Sequence, residues 1–150
     1  MKKFTFSLQS VLRVKNIQGK QREAELAEIQ NQLNELFAQQ ENLEKQLENS
    51  SIQYGDDMLN GMQVPQMAWY ANFADYIQTQ LKKLGVRIGE AEQKKQSKKA
   101  ELISVVKEIK TIEKLREEQY RAYLEEVSQE EEKVLGDLIS YNQTMETAGW

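Results

Sequence analysis

Three groups of side chains in this 150-residue chain have types and spacings that could do chemistry. Glu130, Glu131 and Glu132 form the densest carboxylate run, and oxygen ligands of that kind suit magnesium or calcium. Adjacent residues of a helix point in different directions, so the run reads as a solvated face and no metal site is expected. Lys94, Lys95, Lys98 and Lys99 form the basic cluster, flanked by Glu90, Glu92 and Glu101. That mixture reads as a charged helix segment rather than a phosphate grip. Gly85 and Gly89 lack the remaining glycines, lysine and hydroxyl of a phosphate loop. The third group is aromatic: Trp69, Phe73 and Tyr76 fall at i, i+4 and i+7, one stripe of a helix. Its chemistry is contact, either as an anchor for a partner or as a lid over Met58 and Met62.

The chain has no cysteine and no histidine. Disulfides, thiolate nucleophiles, imidazole bases and most transition-metal sites are thereby excluded. No catalytic residue, cofactor or metal is expected, and the function left is binding. A net charge of −4 makes nucleic acid an unsuitable main partner. The start Met1-Lys2-Lys3 resembles the basic end of a signal peptide, but Thr5, Ser7, Gln9, Ser10 and Arg13 interrupt the apolar core that should follow. No window approaches the roughly 20 apolar residues of a membrane span, so a cytoplasmic chain is expected.

Long helices must position the aromatic stripe. Apolar residues recur at three- and four-residue steps through Leu26, Ile29, Leu33, Leu36, Leu43, Leu47 and Tyr54, with Gln40 and Ser50 as polar members. A second such run includes Met67, Tyr70, Ala74, Ile77, Leu81, Leu84 and Ile88, and reaches Ile112. Between them lie Gly55-Asp56-Asp57, Asn60-Gly61 and the single proline, Pro65, residues that favour turns or a first helical position. The spacing predicts an all-α, antiparallel two-helix coiled-coil hairpin forming one domain. Helix one covers about 7–55, with Ser7 capping and Phe6 stapled to Val11, the bend about 56–64, and the longer helix two about 65–145.

A bend near residue 60 pairs positions whose numbers sum to about 120, which places Arg22 and Gly19 near Lys98 and Glu101. The polar gaps of the two seams then coincide. Replacing Arg22 and Lys98 with leucine is expected to raise the melting temperature. Helix two outlasts helix one, so Tyr120, Tyr123, Leu124, Val127, Val134, Leu135, Leu138 and Ile139 are expected to lack partners. The aromatics gather beside the bend and toward the termini, where Phe4, Phe6, Tyr141 and Trp150 lie.

Phe4-Thr5-Phe6-Ser7-Leu8-Gln9-Ser10-Val11-Leu12-Arg13 resembles the opening of the FliJ family, coiled-coil components of the bacterial flagellar type III export apparatus. Asn60-Gly61-Met62, followed by Tyr70-Ala71-Asn72-Phe73 and Ile77, resembles its second recurring stretch. The resemblance implies a non-enzymatic central stalk of the hexameric export ATPase FliI. It further implies contact with the export gate protein FlhA and help in recycling export chaperones. By position, Phe4, Phe6, Leu8, Leu12 and Arg13 are then candidates for ATPase contact, and Tyr70, Phe73, Ile77, Gln80 and Leu84 for gate contact. The location implied is cytoplasmic, associated with the inner membrane through the apparatus without insertion. The equivalent stalk of a virulence injectisome and a self-pairing coiled-coil spacer are the rival readings; an isolated stalk is expected to be a monomer.

Overall fold

The computed structural model describes residues 2–148; Met1 and Trp150 of the terminal features above lie outside the described residues. Two helices make up the architecture, α1 at Gln9–Leu59 and the longer α2 at Val64–Ala148, with no strand among the described residues. They pack as a hairpin. Contacts group the chain into two compact units, Lys20–Ile103 and residues 2–19 with 104–148.

The Lys20–Ile103 unit contains the bend. Gly55, Asp56 and Asp57 do not stop α1, which continues to Leu59 and leaves residues 60–63 as the connection. The cause lies in the Asp57 carboxylate, which accepts hydrogen bonds from Gln53 Nε2 at 3.0 Å, from Gln66 Nε2 at 3.2 Å and from the Tyr70 hydroxyl. A residue that reads as a breaker in isolation is here the clasp between the helices. The reversal falls at Gly61, whose φ of 89° is the left-handed region that a Cβ disfavours. Gln63 then opens α2 by accepting from the amides of Gln66 and Met67. Pro65 lacks only an amide that a first turn leaves unpaired anyway.

Moving the bend changes the register. Arg22 reaches Glu101 and Lys98 reaches Glu25, each pair summing to 123 rather than the expected 120. The seam itself lies where the spacing puts it. Ile29, Leu33, Leu36, Leu84 and Ile88 form a buried cluster, with Leu43 and Ala91 packed against it, and Ile77 is 1% exposed. Below this cluster the seam turns polar. Arg22 Nη1 lies 3.3 Å and Lys98 Nζ 3.1 Å from Glu25, while Lys98 also lies 3.6 Å from Glu101. These interactions, Lys98 first, hold the Glu25 carboxyl below its usual range against the opposing effect of burial.

In the other unit, α1 starts at Gln9 rather than near Ser7, its first amide donating to the Phe6 carbonyl. Phe6 is buried while Val11 stays exposed, so a staple between them does not set the entry angle. Residues 2–6 instead extend along α2. Phe4 packs on the rings of Tyr120 and Tyr123 at 5.1 and 5.5 Å, and the Tyr123 hydroxyl donates to the Lys2 carbonyl. Two of the residues expected to lack partners therefore have one, although Tyr120 stays exposed. Gly19 packs toward Ile109 and Val105 rather than beside Lys98, as the shifted register requires. From Ser128 to Ala148, every residue is exposed.

Candidate functional site

Contact surfaces on α2 are the candidates; among the described residues, no group of three or more histidine, cysteine, aspartate or glutamate side chains is placed to hold a metal. Glu130, Glu131 and Glu132 are all exposed. No helix is long and apolar enough to cross a membrane among the described residues.

The first surface lies beside the bend. Trp69 stacks on Phe73, ring centroids 5.4 Å apart and planes 6° apart, as the i, i+4 spacing of a helix permits. Trp69 and Tyr76 are nevertheless 58% and 59% exposed, and Met58 stays half exposed. The rings thus present a face to solvent. Gln46, Asn49, Ser50 and Gln53 of α1 complete a shallow groove with Trp69, Tyr70 and Phe73. The floor is fixed by Tyr70, whose ring meets Tyr54 edge-on at 5.4 Å. Its hydroxyl bond to Asp57 raises the phenol's pKa, since a neutral phenol is the donor that bond needs.

The five gate-contact candidates divide by exposure. Phe73 and Gln80 are half-buried and reachable, and Tyr70 is half-buried beneath the groove. Ile77 and Leu84 lie in the seam at 1% and 4% exposure, so they shape this face from beneath. Trp69 and Tyr76 are the exposed residues of the same stripe.

The second surface belongs to the unit of residues 2–19 and 104–148. Here Phe6 and Leu12 are buried, Phe4 and Leu8 half-buried, and Arg13 exposed. Phe4 and Leu12 also border a groove with Glu113, Arg116, Glu117 and Tyr120. Phe4 therefore serves first to pin the N-terminal residues to α2. Beyond them Val134, Leu135, Leu138, Ile139, Tyr141 and Met145 offer apolar side chains to solvent. Asp57 was invisible as a site residue in the sequence; an acid at the end of one seam with glutamine and tyrosine opening the next was the available signal.

Comparison with known families finds that the model of the family described as Flagellar FliJ protein matches residues 4–143. No curated protein matches, and no solved structure does.

Proposed function

Because the chain belongs to the FliJ family, a group of non-catalytic proteins associated with flagellar export, we propose that it acts as the central stalk of the export ATPase ring and contacts the export gate. Its partners in this reading are the hexameric ATPase FliI, the gate protein FlhA and export chaperones. It would work in the cytoplasm, held at the inner membrane through the apparatus. The observation that carries the reading is the division of exposed apolar surface. One share is the aromatic face of exposed Trp69 and Tyr76 with half-buried Phe73 between them; the other is the tail from Val134 to Met145. A protein that couples two partners needs two such faces and no reacting group, because coupling arises from differential contact with each partner's states.

Phe4, Phe6, Leu8, Leu12 and Arg13 belong to the ATPase end of this proposal, with Arg13 the exposed member. Tyr70, Phe73, Ile77, Gln80 and Leu84 belong to the gate end, where Phe73 and Gln80 make the contact that Tyr70, Ile77 and Leu84 support. The test is a pulldown with purified export ATPase and, separately, purified gate protein. Phe73→Ala should lose gate binding and keep ATPase binding, with helix content unchanged by circular dichroism. Retention of both would return the aromatic face to a packing role.

A further inference from the structure

From Leu124 to Met145 the tail carries apolar residues at alternating three- and four-residue steps, interrupted at Glu131 alone. That is the spacing of a helix-to-helix seam, yet Val134, Leu138, Tyr141 and Met145 are each more than half exposed. A second stripe of identical spacing lies beside the hairpin seam on the earlier part of α2. It begins with Trp69, Phe73 and Tyr76 and continues through Gln80, Lys83 and Arg87. Lys83 and Arg87 are exposed and enter no ion pair among the described residues.

The stripes are complementary in charge. Residues 124–148 hold seven acidic side chains and one lysine, so two tails would repel each other. The earlier stripe is aromatic at one end and basic at the other. Laid antiparallel, Trp69 faces Met145, Phe73 faces Tyr141 and Tyr76 faces Leu138, while Lys83 faces Glu131, the tail's one charged seam residue. A slip of one heptad would set Glu131 against Tyr76 or against Glu90. Of these three heptad-spaced registers, one pairs the acid with a base. Both stripes lie on α2.

We propose that the acidic tail of one copy docks antiparallel on the aromatic and basic face of a second copy, with Lys83 opposite Glu131 setting the register. The interface is a single short helix stripe, so the association is weak: the protein is a monomer when dilute and pairs as concentration rises. It covers Phe73, which makes self-docking and gate contact mutually exclusive.

Sedimentation and light scattering of the full chain from micromolar to near-millimolar concentration test it. The average mass should climb above one copy, less so at high salt. Lys83→Glu and Glu131→Lys should each weaken association by about tenfold or more, since like charges then meet across the seam, and the two combined should restore it. All three variants keep the fold, because both side chains are exposed. The chain has no cysteine, so a mixture of Phe73→Cys and Tyr141→Cys chains should form a disulfide between the two variants. A mass of one copy at every concentration, or a double reversal that fails to restore association, overturns the proposal and assigns both stripes to other proteins.

Discussion

Leu33 and Leu138 are both leucines at heptad positions of long helices, yet one is 2% exposed and the other 55%. Around Leu33, Leu84 and Ile88 of α2 close the seam against Ile29 and Leu36. Around Leu138, no side chain is buried. The same three- and four-residue spacing thus yields a core in one region and a bare stripe in the other. Periodicity specifies that a helix wants a neighbour; where the chain reverses decides which stretch receives one from the same molecule.

The largest expected effect separates these two leucines. Leu33→Ala should cost about 2–5 kcal/mol, the lost transfer energy plus a cavity, read as a drop in the urea or thermal midpoint. Leu138→Ala should stay within about 0.5 kcal/mol in dilute solution, as exposed substitutions do. Equal losses would break the comparison, because they would mean that the tail is covered in the isolated protein.

A smaller effect comes from the polar layer under the Leu33 cluster. Arg22→Leu with Lys98→Leu should raise stability by about 1–2 kcal/mol. Burying leucine contributes about 1.5–3 kcal/mol per side chain, whereas partly exposed ion pairs contribute about 0–1 kcal/mol each. Glu25 and Glu101, at 40% and 44% side-chain exposure, keep their water after the change. A melting temperature that stays level or falls would show the layer to be a stabilising part of the core.

The difference between the regions also explains what was legible beforehand. Seam positions from Leu26 to Tyr54 and from Met67 to Ile112 are all buried or half-buried, because a heptad is a local pattern that survives in one dimension. The register was off by three because Gly55 and Asp57 carry a breaker's identity, whereas Asp57 sits in a clasp whose bonds from Gln66 and Tyr70 come from the next helix. The contact that Phe4 makes with Tyr120 and Tyr123 was invisible for a related reason. Residues 2–6 belong to neither helix and have no period to read. For the gate-contact candidates, position along α2 was legible but exposure was not: Phe73 and Ile77 are four residues apart, and only a slight rotation about the helix separates surface from core.

The smallest expected effect concerns acid, and it sharpens what distinguishes the polar layer from the leucine layers above it. Glu25 has its carboxyl held below the ordinary 4.5, first by Lys98 and then by Arg22. A carboxyl whose folded pKa is lower than its unfolded one adds stability that is fully present above the unfolded value. That contribution disappears as pH falls from about 4.5 through the lower folded value. The melting temperature of Glu25→Gln should therefore lie below that of the parent near neutral pH, and the gap should narrow on acidification past 4.5. Added salt should narrow it too, because the four charged side chains are partly exposed and screened. Loss of the gap in acid would identify Glu25 as the proton-sensitive member of the layer. Parallel curves would mean that Lys98 and Arg22 only lie close to it, and that the layer differs from its neighbours in lacking apolar contact rather than in gaining charge pairing.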